Sequence, residues 1–136
     1  MSRTFTIRQL TKEFSVTART LRFYEDEALI APERRGQTRI YSVRDRARII
    51  LILRGRRLGF SLAEIREYLD LYDRTLNVRQ LRHARHKFEE RIAAFERQKV
   101  EIDASIGELK RSIAEVDERL GDHARKHAPH QAVAAE

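Results

Sequence analysis

Residues 17–30 read TARTLRFYEDEALI, and this segment decides the fold prediction. Thr17 is a favourable N-cap residue, so we expect a helix to begin directly after it. The helix must be very short, because residues 28–29 close the unit. The side chains predicted to anchor it to a core are Leu21, Phe23 and Leu29. The side chains predicted to remain exposed are Arg19, Arg22 and Tyr24, and cations with an aromatic residue suit a binding surface.

A second short helix is predicted immediately before this segment. Thr6 can cap it, and Ile7, Leu10 and Phe14 recur at the spacing of one helical face. The helix is expected to end at residues 15–16, directly before the next cap. Two short helices joined by a tight turn predict a helix-turn-helix unit.

Residues 31–42, APERRGQTRIYS, predict a small β-hairpin. A proline begins the segment, a glycine lies between polar residues, and the last residues alternate in polarity. The tip is expected at residues 34–38. Arginines at an exposed tip have no role in a core, which makes them candidates for binding.

Two further helices are predicted after the hairpin. Ser42 with Asp45, and Ser61 with Glu64, resemble capping boxes, which mark helix starts. Gly59 ends the first of these helices, so we expect a sharp bend before the second. The apolar positions expected to face the core are Val43, Ala47, Ile50, Leu51, Leu53 and Leu58 in the first helix and Leu62, Ile65, Leu69 and Tyr72 in the second.

From residue 81 onward the apolar residues follow a heptad pattern for six repeats. The pattern defines twelve positions, called the seam here, and all are apolar except Arg85 and Lys99. A helix over residues 81–120 would be about 60 Å long, and too little chain remains to cover its seam. We therefore predict a homodimer, and bulky residues near one end with smaller ones near the other favour antiparallel pairing. The predicted dimerisation residues are Leu81, Phe88, Ile92, Phe95, Ile102, Ile106, Leu109, Ile113, Val116 and Leu120.

Charge is concentrated in the first part of the chain. The net charge is +7, and residues 1–72 carry 15 Lys and Arg against 9 Asp and Glu, a difference of +6. All but one of these cations are arginine, whose planar guanidinium suits phosphate oxygens and guanine edges. Phosphate is therefore the expected partner of this part of the chain.

Composition also excludes several classes of protein. The chain has no cysteine, which excludes disulfides, thiolate zinc sites and cysteine nucleophiles. Residues 1–10 lack the long apolar run of a signal peptide, and the sequence has no run of about 18 apolar residues, so we predict a cytoplasmic protein without membrane contact. No nucleophile and base are suggested, and we predict neither an enzyme nor a cofactor. Three consecutive acids, residues 25–27, are expected to repel DNA from the wrong side of the short helix.

The order of these elements resembles the MerR family of bacterial transcription regulators. The residues that carry the resemblance are T-x-R-T-L-R-F-Y-E-x-x-x-L-I from residue 17, R-x-Y at residues 39–41 and L-G-F-S-L-x-E-I from residue 58. The resemblance extends from residue 5 to about residue 120. It is strongest to the cysteine-free subgroup that controls branched-chain amino acid and isovalerate degradation.

The resemblance implies an all-α fold with a small β-hairpin wing. Its parts are a winged helix-turn-helix DNA-binding domain at residues 1–73, called the head here, and a coiled-coil dimerisation helix at residues 78–120. The aperiodic tail at residues 121–136 is predicted to be disordered.

The resemblance also implies how such a protein acts. A homodimer would bind a near-palindromic operator in double-stranded promoter DNA, distort it, and act with RNA polymerase in the bacterial nucleoid. The DNA-binding residues carried over or placed on the wing are Thr17, Arg19, Thr20, Arg22, Tyr24, Arg34, Arg35, Gln37, Arg39, Tyr41 and Arg57.

Alternatives remain open at this point. A coiled-coil adaptor could use its helix-turn-helix to bind protein, and a small-molecule or metal sensor could use the coiled coil or the histidine tail. Arg85 and Lys99 could extend outward from the seam, fix the dimer register, or bind an anionic effector such as an acyl-CoA. His123, His127 and His130 have a spacing that zinc or nickel can use, but a solvated tail is favoured, and no metal site is predicted.

Overall fold

A computed structural model describes residues 3–127 of the chain, and helices dominate it. The elements in chain order are β1 (Thr4–Phe5), α1 (Ile7–Phe14), α2 (Ala18–Asp26), β2 (Glu33–Arg35), β3 (Thr38–Ser42), α3 (Val43–Arg57), α4 (Leu62–Asp73) and α5 (Val78–His127). The predicted class, helical with a small β-element, is confirmed.

Side-chain caps begin the first four helices, as the sequence predicts. Thr6, Thr17, Ser42 and Ser61 each accept a hydrogen bond from the backbone N–H three residues later. All but the cap at Thr17 are reciprocal capping boxes. Gly59, with a φ of +79°, makes the bend between α3 and α4, and a Cβ there would also lie 3.1 Å from the guanidinium of Arg91. These local signals fix the lengths and entry points of the short helices.

The sheet has three strands in the order β1-β3-β2, one more than the predicted hairpin. Phe5 of β1 lies opposite Tyr41 of β3. Strand β2 pairs with β3 so that Arg35 faces Thr38. The tip is therefore the two residues Gly36 and Gln37, and the predicted longer tip is corrected.

The core of the head is built from residues of β1, β3 and helices α1 to α4 and of the loops after α2 and α3, whereas β2 is exposed. Its buried apolar members are Phe5, Leu10, Leu21, Tyr24, Leu29, Ile30, Tyr41, Ile49, Ile52, Phe60, Ile65, Tyr68 and Leu69. The predicted set for α3 omitted Ile49 and Ile52, and Val43 is exposed. In α4, Tyr68 is buried where Tyr72 was predicted. Asp45, Ile49 and Ile52 recur every three or four residues, so they share the helix face that is buried.

The chain divides into two compact units, one ending at Arg91 and one beginning at Ile92. Helix α5 runs as a single 50-residue helix, and none of its residues is buried. It includes residues 121–127, so the predicted disorder is corrected there, while residues 128–136, with His130, lie outside the described part. Within residues 3–127 no helix combines the length and the apolarity that crossing a membrane requires.

Candidate nucleic-acid interface

The exposed face of α2 carries two arginines and a phenylalanine. Arg19, Arg22 and Phe23 are all exposed and recur at steps of three and one residues, so they share one side of the helix. Phe23 is 46% exposed, whereas Tyr24 is completely buried. The sequence predicted Phe23 in the core and Tyr24 on the surface, and both assignments are corrected. The surface of α2 therefore offers cations and an apolar ring together.

Tyr24 supports α2 rather than extending from it. Its ring lies in the core, and its hydroxyl accepts a hydrogen bond of 3.0 Å from Nη1 of Arg56 on α3. Burial rules out a direct groove contact for Tyr24. Leu21 lies three residues earlier and is buried too, which is the helical spacing that could have identified Tyr24 as a core residue.

The start of α2 is held by two threonines. The Thr17 hydroxyl accepts from the Thr20 backbone N–H at 3.1 Å, and the two hydroxyl oxygens are 2.9 Å apart. Thr17 is exposed and Thr20 is half-buried. Both lie at the N-terminus of the helix, where backbone N–H groups and the helix dipole favour an anion.

Glu25 connects α2 to the wing, strands β2 and β3. Its carboxylate accepts hydrogen bonds of 2.7 Å from Nε of Arg39 and 3.0 Å from Nη2 of Arg34. These two arginines lie directly opposite each other in the sheet, where like charges would otherwise repel. Burial acts to raise the pKa of Glu25, but the hydrogen bonds from Arg39 and Arg34 outweigh it, and the pKa lies below its ordinary value. Arg39 and Arg34 thus orient the wing on α2.

We predict that Glu25→Gln lowers the stability of the protein by about 1 kcal/mol near neutral pH, because the amide cannot satisfy two guanidinium groups. A carboxylate whose folded-state pKa is depressed stabilises the fold above its unfolded pKa and loses that contribution as the pH falls. The difference between variant and wild type should therefore shrink below about pH 4. Denaturant unfolding at several pH values measures this.

Asp26→Asn is the matched control for Glu25→Gln. Asp26 is the adjacent acid, is exposed, and forms no ion pair within residues 3–127. It should leave stability nearly unchanged at all pH values. Equal effects of the two substitutions would contradict the assigned role of Glu25.

The remaining wing residues differ in exposure. Arg35 at the end of β2 and Gln37 at the tip are exposed, and Nε of Arg35 lies 3.8 Å from Oε1 of Glu33. Tyr41 is completely buried, and its hydroxyl has no hydrogen-bond partner within the described residues. Burial raises the pKa of Tyr41. Tyr41 is therefore a core residue, and its predicted DNA contact is corrected.

Several acidic residues of the head are neutralised by arginines of the head. Glu27 lies 3.1 Å from Arg66, and Glu13 pairs with Arg46. Asp73 at the end of α4 pairs with Arg48 and lies 3.5 Å from Arg44. Glu25 and Glu27 thus bind neighbouring elements, which corrects the idea that they serve to repel DNA.

Three cations among the predicted contacts keep their charge available. Arg19, Arg22 and Arg57 are exposed and form no ion pair within residues 3–127. The resemblance to the MerR family implied all three as DNA contacts, but nothing in the sequence indicated the ion pairs that Arg34 and Arg39 form. An exposed helix with unpaired arginines, a capped N-terminus and a wing fixed beside it can bind phosphates and base edges.

The predicted dimerisation residues lie on one exposed stripe of α5, with one exception. Phe88 is partly buried and packs against Phe60 and Tyr68, with ring centroids 5.9 Å apart in both cases. The exposed members are Leu81, Ile92, Phe95, Ile102, Ile106, Leu109, Ile113, Val116 and Leu120. Phe88 therefore contributes to the unit that ends at Arg91, whether or not it also contacts a second copy.

The rings of His123 and His127 stack, with centroids 4.2 Å apart. Among residues 3–127, however, no three His, Asp or Glu side chains are grouped so that they could hold a metal ion.

A groove of about 340 Å³ lies between α4 and the first turns of α5. Its lining includes the aromatic rings of Phe60, Tyr68 and Phe88. Charged groups of its rim pair with one another: His83 lies 3.3 Å from Glu67, and Lys87 lies 4.0 Å from Glu64. Phe88 is the one predicted site residue in its lining.

Two family descriptions match the chain. Residues 5–72 match the MerR HTH family regulatory protein, and residues 46–118 match the description "MerR, DNA binding". The matches overlap in α3 and α4, so together they extend from β1 into α5.

Named relatives and solved structures agree with these matches. The HTH-type transcriptional regulator ZntR of Escherichia coli is 32% identical over 120 residues, which cover 87% of this chain and 79% of ZntR. HmrR of Rhizobium leguminosarum is 38% identical over 68 residues, 49% of this chain, and the match spans only about half of HmrR, 53%. The lead(II) complex of PbrR691 from Ralstonia metallidurans has a TM-score of 0.56 at 27% identity, covering 79% of this chain and 86% of PbrR691.

Proposed function

The chain belongs to the MerR family of DNA-binding transcription regulators, and we propose that it binds a near-palindromic promoter operator as a homodimer. Members of this family are regulators rather than enzymes. Distortion of the bound DNA, which acts through sequence-dependent deformability, would then change how RNA polymerase uses the promoter. We propose that it acts in the cytoplasm, at the nucleoid.

The exposed face of α2 is the observation that carries the proposal. Arg19 and Arg22 are exposed without an acidic partner in the described part of the chain, while Glu13, Glu25 and Glu27 are neutralised by other arginines. The positive charge of the head is thus available where a recognition helix needs it. Arginine can contact phosphate or donate two hydrogen bonds to guanine.

We assign the DNA contacts in three groups. Helix α2 contributes base-edge and phosphate contacts, the wing contributes contacts to the flanking backbone, and the end of α3 contributes one phosphate contact. The proposed residues are Thr17, Arg19, Thr20, Arg22 and Phe23 in the first group, Arg34, Arg35 and Gln37 in the second, and Arg57 in the third. Arg39 positions the wing through Glu25, and its side chain is only 20% exposed.

The dimer assignment is supported by the exposed stripe on α5. A monomer would leave nine large apolar side chains of the seam in water, among them Phe95 at 41% and Leu109 at 65% exposure. Two copies of α2 about one DNA turn apart would then read two half-sites related by symmetry. We propose residues 1–73 for DNA binding and the helix from residue 78 for dimerisation.

Salt dependence tests the proposal directly. Binding of the full chain to duplex promoter DNA should weaken steeply as salt is raised, because each phosphate contact releases counterions. Fluorescence anisotropy over a series of salt concentrations measures the slope. If the affinity for DNA hardly changes with salt, or if a helical protein partner binds as tightly as the DNA does, the result would favour a coiled-coil adaptor whose helix-turn-helix binds protein.

A further inference from the structure

The strongest unassigned feature is a pair of cations within the apolar seam of α5. Arg85 and Lys99 are exposed, and neither forms an ion pair within residues 3–127. The surrounding seam residues Phe95 and Ile102 are 41% and 58% exposed, so the whole stripe lacks a cover in one chain. Cations at such positions reduce the stability of a coiled coil unless something compensates them.

Building on the proposed homodimer with its helices paired antiparallel, we propose that Lys99 and Arg85 set the register in which the two stripes pack. Lys99 would pair with Asp103 of the second copy, and Arg85 with Asp117 of the second copy. The occupant of the seam is thus a second α5, recognised by charge as well as by apolar contact.

The register follows from the heptad pattern. In an antiparallel pair, residues of the first seam position in one copy face residues of the second seam position in the other. In one alignment of the two helices, the seams of the two copies overlap over almost their whole length. Ile102 of one copy then faces Lys99 of the other, Val116 faces Arg85, and Ile106 faces Phe95. The last of these combines a bulky ring with a smaller side chain in one layer.

An acidic residue then lies beside each cation. Asp103 directly follows Ile102, and Asp117 directly follows Val116. Asp103 also lies four residues after Lys99 of its own chain, and Asp117 four residues after Ile113, so each aspartate borders the seam on the side where Lys99 and Arg85 of the other copy emerge. Asp103 and Asp117 are exposed and form no ion pair within residues 3–127.

Other alignments place like charges together. Sliding one copy by a heptad in either direction brings Lys110 of that copy next to Lys99 or next to Arg85. Parallel pairing in register would place Lys99 against Lys99 and Arg85 against Arg85. Among these alignments, the proposed register alone gives both cations an acidic neighbour, so the same residues favour it over its nearest competitors.

Mixed dimers of full-length variants test this register. One tagged chain carries Lys99→Glu, and a differently tagged chain carries Asp103→Lys. Each homodimer then contains two like-charge contacts, whereas the mixed dimer contains two attractive ones. Native mass spectrometry after subunit exchange should show mixed dimers at least about threefold above the statistical ratio. Each chain carries its own internal charge pairs into whichever dimer it joins, so these pairs cancel in the exchange equilibrium and cannot cause the excess.

The control mixture combines Lys99→Glu with Asp117→Lys. In the proposed register residue 117 lies beside Arg85 rather than Lys99. The mixed dimer and both homodimers then contain two attractive and two repulsive contacts each, so no excess of mixed dimers is expected. An excess of mixed dimers as large as in the first mixture would overturn the register, and so would a statistical ratio in the first mixture. If sedimentation shows that wild type itself is a monomer, the proposed homodimer fails first, which is a separate result.

Discussion

Ile106→Asp is expected to convert the protein into a monomer and to remove most operator binding with it. Ile106 is 44% exposed in the single chain and lies in the middle of the seam. Each copy of the variant would lose the burial of one isoleucine, about 1.5 to 3 kcal/mol, and would place a carboxylate in an apolar interface. Counting both copies, the dimer should weaken at least about a hundredfold.

Loss of the dimer reduces DNA binding because the two heads no longer act together. A linked second head binds its half-site at a high effective concentration, and a monomer lacks this advantage. Sedimentation equilibrium gives the oligomeric state, and anisotropy on operator DNA gives the affinity. A monomer that still binds the operator tightly would refute the two-half-site proposal.

Ala104→Asp is the matched control for the seam. Ala104 is exposed on α5 two residues before Ile106, on the side of the helix away from the seam. It introduces the same charge into nearly the same segment of helix. The dimer should persist, so a loss of dimer in both variants would indicate damage to α5 itself.

Local signals explain why much of the fold could be predicted. A cap such as Thr6 or Ser61 acts within three residues, so its effect is visible in the sequence. The heptad pattern of α5 is also local and repeats for forty residues. Strand β1 escaped prediction because its two residues form a strand only through pairing with β3, which lies more than thirty residues away.

The candidate site was predicted less well because packing between elements decides which of its side chains are buried and which are exposed. Phe23 and Tyr24 are adjacent, and only helical phase relative to Leu21 decides that Tyr24 is buried. The role of Glu25 depends on two arginines that reach it from the wing, nine and fourteen residues away in sequence. Contacts between elements of this kind leave no fixed spacing in the chain.

The second large effect is expected from Arg22→Ala, which should lower affinity for operator DNA by about 1 to 3 kcal/mol while leaving the dimer intact. Arg22 is exposed on the α2 face that carries Arg19 and Phe23, and it has no acidic partner within residues 3–127. Its removal therefore disrupts no contact that stabilises the head. If Arg22 contacts phosphate, the salt dependence of binding should also become shallower by about one charge.

Two further variants separate the possible roles of Arg22. Arg66→Ala removes an arginine of the same head that is already paired with Glu27 at 3.1 Å, so it should change DNA affinity little.

Arg22→Lys keeps the charge but loses the planar fork that can bind guanine through two hydrogen bonds. If Lys restores affinity and the salt slope, Arg22 contacts the backbone. If Lys fails as Ala does, Arg22 reads a base, and binding should then lose discrimination at one operator position in each half-site. Equal losses for Arg66→Ala and Arg22→Ala would contradict the assignment of α2 as the reading helix, because general loss of positive charge would then explain both.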